Sequence, residues 1–83
     1  MERPELEERV RKVLAENLGR DLEEVTMEAR LEVDLDADSL DLVEAVLALE
    51  EELGVKIPEE EMESVATVGD AVRLVSEKLG VAA

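Results

Sequence analysis

The sequence predicts an all-α fold: an irregular four-helix bundle of three main helices and one short helix, with a long connection between the first and second. Three observations predict it. Leu, Val and Ala recur at helical spacing in three separate stretches. Gly or Pro stands where each stretch begins or ends. No segment alternates apolar and polar residues in the manner of a convincing strand.

The first helix is expected over residues 4–18. Leu6, Val10, Val13, Leu14 and Leu18 form one apolar stripe, and Glu5, Glu7, Glu8, Arg9, Arg11, Lys12 and Glu16 fill the other faces. Pro4 suits the first turn, where a missing N–H costs nothing, and Gly19 supplies the stop. Residues 20–37 show no sustained helical period. Such a length is unusual for a structureless loop, so function or a hidden short turn is expected, the latter at residues 21–25. Leu22, Val25, Met27, Leu31, Val33 and Leu35 recur through this connection, so it is expected to lie across the core.

The second helix is expected over residues 38–53, ended by Gly54. Leu42, Val46, Leu49 and Leu53 share one side, with Val43 beside them. Asp41, Glu44, Ala48 and Glu51 share another. Leu40 and Leu47, seven apart, form an apolar ridge beside the acidic stripe. A short third helix is expected over residues 57–62, with Pro58 in its first turn and Met62 and Val65 facing inward. The last helix begins at Thr67, whose Thr67-Val68-Gly69-Asp70 is a capping-box-like start. Val68, Ala71, Val72, Val75 and Leu79 make its stripe, and Gly80 closes it.

Composition narrows the function. The 83 residues include no Phe, Trp, Tyr, Cys or His. Without Cys there is no disulfide framework, thiolate nucleophile or zinc–thiolate site. Without His, the commonest metal ligand and the usual general base at neutral pH are missing. The net charge of −15 argues against direct binding of nucleic-acid phosphates, which needs Lys and Arg to displace counterions. No apolar run approaches a membrane span, and no signal peptide opens the chain. The start at Met1 and the short tails point to a stand-alone chain. The expectation is an acidic single domain over residues 1–83, cytoplasmic and monomeric, with no catalytic machinery of its own.

The acid is concentrated. Residues 32–63 hold 13 acidic residues and one basic residue, Lys56, a balance of −12 against −3 for the remaining 51 residues. Charge runs usually serve solubility. Here the Leu40/Leu47 ridge beside the stripe gives it the make-up of a docking surface for basic proteins.

Asp38-Ser39-Leu40 lies where the connection meets the second helix. By position alone Ser39 is a helix cap, since Ser and Asp are preferred N-caps. The context carries more. Asp34-Leu35-Asp36-Ala37-Asp38-Ser39-Leu40-Asp41, then Val43-Glu44, Ala48-Leu49-Glu50-Glu51-Glu52-Leu53, Ile57-Pro58 and Thr67-Val68 together strongly resemble the acyl carrier protein family, stand-alone fatty acid synthesis type, over essentially the whole chain. The resemblance implies that Ser39, with Asp38 beside it, is the attachment site of 4′-phosphopantetheine. A phosphopantetheinyl transferase would move the group from coenzyme A with Mg²⁺, and its thiol would hold acyl groups as thioesters. It further implies that Asp38, Asp41, Glu44, Glu50 and Glu51 meet Lys and Arg on enzymes of fatty acid or polyketide synthesis. Leu40, Leu47, Glu60 and Met62 would be further partner contacts. Val43, Val46, Ile57, Met62, Val65 and Ala71 would line a space for the acyl chain.

The chain departs from the family pattern in places. Asp36 stands where Gly is usual, at a position where positive φ would be free of steric cost for Gly. Leu31 and Leu74 stand where aromatic residues are common. These departures, and the lack of aromatics, also fit an engineered or designed bundle on the carrier template without carrier activity. A third reading is divalent-cation binding. Asp34-x-Asp36-x-Asp38 copies the opening of an EF-hand loop, but Ser39 occupies its Gly position and Ala45 its closing Glu position. No dedicated metal site is therefore expected, only loose association with Asp34, Asp36 and Asp38.

Overall fold

The computed structural model describes residues 2–80. Met1 and the tail after Gly80, on which the stand-alone expectation rests, lie outside the described residues. Four helices follow in order: α1 (Arg3–Leu18), α2 (Ser39–Leu53), α3 (Glu59–Met62) and α4 (Val68–Leu79). The all-α expectation holds. One feature the pattern did not announce is an isolated antiparallel bridge between Arg30 and Thr67. Through it the Leu31 N–H donates to the Ala66 carbonyl and the Val68 N–H to the Ala29 carbonyl, both at 3.0 Å.

Each main helix buries the stripe its sequence marks out. Leu6, Val10 and Leu14 of α1, Val46, Leu49 and Leu53 of α2, and Val68, Ala71, Val72 and Val75 of α4 are all buried. A fully buried Val or Leu contributes about 1.5–3 kcal/mol relative to exposure, so this aliphatic core accounts for the fold without any aromatic ring. Ala15, Ala45 and Ser76 are also buried. Ser76 satisfies its hydroxyl on the Arg73 carbonyl at 2.8 Å. The helix ends follow local chemistry. Gly54 ends α2 at φ 66°, a left-handed conformation that needs no Cβ, and its N–H closes onto the Glu50 carbonyl at 2.9 Å. Thr67 caps α4 reciprocally with Asp70.

The connection between α1 and α2 is shaped by two arginines. The hidden turn is a single 3-10 turn at Leu22–Glu24, capped by Asp21. Arg11 of α1 donates to the carbonyls of Val25 at 2.6 Å and Leu22 at 2.9 Å. Arg20 donates to the Leu35 carbonyl at 3.3 Å. Val25, Ala29, Leu31, Leu35 and Ala37 are buried, so the connection does lie across the core. Val33 is the exception, at 67% exposed. The Leu35 and Asp34 N–H groups both return to the Arg30 carbonyl, closing a tight turn that points Val33 outward.

The short helix starts later than its pattern implied. Pro58 is its N-cap rather than a first-turn residue, and Ile57 is buried before the helix begins. No residue of α3 is fully buried.

Candidate functional site

The end of the connection and the start of α2 present Ser39. The cap of α2 is Asp38, not Ser39. Asp38 accepts the Asp41 N–H at 2.8 Å and donates its own N–H to the Asp41 carboxylate at 3.1 Å. Ser39 is thereby the first helical residue, is exposed, and has no side-chain hydrogen bond among the described residues. The amides of Ser39 and Leu40 lie in the first turn, where helix geometry offers no acceptor. A monoanionic phosphodiester on Ser39 Oγ would meet these donors and the positive end of the helix dipole. The site fits such a group.

Asp36 holds the approach to the serine in a left-handed conformation, φ 57°, the one non-Gly residue at positive φ among the described residues. Asp tolerates that conformation better than most residues but less well than Gly. The Asp36 position is therefore a place where the fold requires what Gly normally supplies.

An open groove of about 550 Å³ runs from Ser39 between α2 and α3. Val43, Val46, Ile57, Met62 and Val65 line it, with Glu32, Leu42, Leu47, Glu50, Glu59 and Glu63. Beyond it lies an interior cavity of about 20 Å³ whose walls are entirely Leu, Ile, Val, Ala and Met side chains. Leu42, Val46, Ile57, Met62 and Val65 border both spaces. Of the residues expected to line an acyl space, Val43 borders only the groove and Ala71 only the cavity. Leu42 and Leu74 belong to the cavity wall as well: helical periodicity marks Leu42 only as core, and Leu74 lies outside the stripe that it assigns to the last helix.

The acidic face divides in two. Asp36, Glu44, Glu51 and Glu60 are exposed, and none of them is in an ion pair among the described residues. Asp38 and Asp41 form the cap. Glu50 is half-buried and accepts the Ile57 N–H at 2.7 Å, bracing the approach to α3. Sequence reasoning assigned Glu50 only to partners, since a contact seven residues away across a chain reversal leaves no local signal. Leu40, Val43 and Leu47 are 65%, 50% and 54% exposed, an apolar ridge among these acids. Met62 is half-buried against the core.

Asp34, Asp36 and Asp38 do not converge on a common point. Among the described residues no group of three or more potential ligands is arranged to hold a metal ion. Asp34 is engaged by Arg30, whose backbone N–H donates at 2.8 Å. That bond, with the Arg30 guanidinium nearby, holds the Asp34 carboxyl below its ordinary range. No helix among the described residues is long and apolar enough to cross a membrane.

This arrangement is that of a cofactor-bearing carrier domain, and comparison with known proteins agrees. The family model described as the phosphopantetheine attachment site matches residues 8–82. The chain is 47% identical over 81 residues to a protein named acyl carrier protein from Petrotoga mobilis, covering 98% of this chain and 95% of that one. It is 52% identical over 73 residues to an acyl carrier protein from Phenylobacterium zucineum, covering 88% and 92%. The chain belongs to the acyl carrier proteins of the phosphopantetheine-attachment family.

Proposed function

We propose that Ser39 carries the 4′-phosphopantetheine and that the chain delivers acyl groups to enzymes of fatty acid synthesis. The observation that carries this reading is the position of Ser39. It is an exposed first-turn hydroxyl, relieved of capping by Asp38, at the mouth of a groove that leads to an apolar cavity. When bound, the group supplies a terminal thiol that holds the acyl chain as a thioester. The protein's residues do the rest. The first-turn amides steady the phosphodiester, and the rigid start of α2 keeps the arm tethered beside whichever enzyme has docked. Asp36, Glu44 and Glu51 attract basic surfaces, including that of the transferase, while Leu40 and Leu47 supply the dry centre of the contact. Glu60 and Met62 extend that contact onto α3. Val43, Val46, Ile57, Val65 and Ala71 shelter the acyl chain. Catalysis resides in the partners, consistent with a chain that has neither Cys nor His. The chain acts as a monomer in the cytoplasm, where coenzyme A and the synthesis enzymes are found.

The test is intact mass after incubation with coenzyme A, Mg²⁺ and a broad-specificity transferase. One phosphopantetheine adduct is expected on the wild-type chain and none on Ser39→Ala. No adduct with several transferases would sink the reading.

A further inference from the structure

We propose that the Glu61–Lys78 ion pair is a latch that holds α3 in place and sets how readily an acyl chain enters the interior cavity. The inference rests on the carrier reading above. As it stands the cavity has room for about one water-sized group. An alkyl chain therefore enters only if a wall moves. The walls are unequal. The helices α1, α2 and α4 each carry at least four buried residues, whereas α3 carries none. Segments with few buried contacts open at the lowest free energy, so α3 is the wall that moves.

Its attachments are few. The Glu50–Ile57 bond pins the chain just before α3, and the Ala66–Leu31 bond pins it just after. Between those pins every backbone hydrogen bond stays within residues 58–65. Among the described residues the one polar contact that leaves this stretch is Lys78 Nζ to Glu61 Oε2, at 2.6 Å. Glu61 Oε2 is closed off from solvent and has no aligned hydrogen-bond donor, so the Lys78 ammonium is the group that neutralises it. Breaking the pair removes the one polar contact that ties this stretch to the rest of the fold among the described residues, and the Glu61 side chain, already 39% exposed, turns to water as α3 moves outward. The next residue, Met62, borders both the groove and the cavity. Outward movement of α3 therefore joins the two spaces.

Two measurements decide the matter. In the apo chain, amide hydrogen exchange is followed at residues 61–65 and at Val10 and Val72. Lys78→Gln and Glu61→Gln should each speed exchange at 61–65 by about two- to fivefold, with no further gain in the double variant and no change at the core amides. Unchanged exchange in both variants, or equal acceleration throughout the chain, overturns the latch. In the second arm, the chain is loaded with a decanoyl group on Ser39-linked phosphopantetheine and the thioester is cleaved with hydroxylamine. Lys78→Gln should slow release by about two- to fivefold, because entry of the acyl chain has become easier. Faster exchange with unchanged release overturns the gating role. Failure of wild-type Ser39 to accept the group sinks the carrier reading itself, and the exchange arm still decides the latch.

Discussion

Asp38 and Asp41 hold each other across the first turn of α2, each carboxylate accepting the other's backbone N–H, at 2.8 and 3.1 Å. The turn they close is the one that presents Ser39. Asp38→Ala should lower stability by about 1 kcal/mol in urea denaturation, and Asp38→Ser, which restores a cap, by much less. Transferase turnover on Ser39 should fall with Asp38→Ala beyond what the stability loss explains, since fraying removes the phosphate's amide donors. Equal turnover in the two variants would separate the cap from the attachment reaction.

Asp36 occupies a left-handed conformation that glycine adopts without steric cost. Asp36→Gly should therefore raise stability by about 1 kcal/mol, or about 4–8 °C in thermal melting for a domain this small. Asp36→Val, β-branched at positive φ, should lower it by more than that. A melt in which glycine is neutral or worse would mean that the entropy of the unfolded chain outweighs the strain.

Asp70 is held below its ordinary carboxyl value of 3.8, chiefly by N–H donation from Ala66 and Thr67, each at 3.0 Å. A depressed folded-state pKa gives stability that is present above the unfolded value and lost as pH falls through the folded one. Wild type should exceed Asp70→Asn in urea midpoint near neutral pH, and the two should converge as pH falls below 3.8. A constant difference at all pH values would assign the cap's contribution to geometry rather than charge.

Glu44 and Glu51 are exposed and unpaired among the described residues. Glu44→Lys or Glu51→Lys should weaken binding to a basic partner such as the transferase by about three- to tenfold at low salt, with the difference shrinking toward 0.5 M salt. Affinity that does not change would leave solubility as the role of this face.

The sequence made the main helices legible because their determinants are local. The stripe of Leu6, Val10 and Leu14, the Gly54 stop and the Thr67–Asp70 cap each lie within a few residues of the structure they cause. The Leu40/Leu47 ridge was legible for the same reason, whereas position alone makes Ser39 a cap, a role that the structure gives to Asp38. What escaped were groups whose role depends on approach between distant segments. Glu50 bracing Ile57, Glu61 meeting Lys78 and Arg11 holding the Val25 carbonyl are invisible to periodicity. Val33 was misplaced because a tight turn reverses the face that simple alternation assigns.

The division of the acidic face also has a thermodynamic consequence. Asp36, Glu44, Glu51 and Glu60 have no intramolecular partner among the described residues, so their field is balanced by mobile cations from solution. On the reading proposed above, in which partners dock on this face, a docking enzyme displaces those ions. Part of the driving force for association is then the entropy of the freed ions, and the carrier exchanges one partner for another by trading bulk salt against fixed lysines and arginines. A surface built this way favours encounters that form quickly and dissolve quickly, which is what a shuttle between successive enzymes requires.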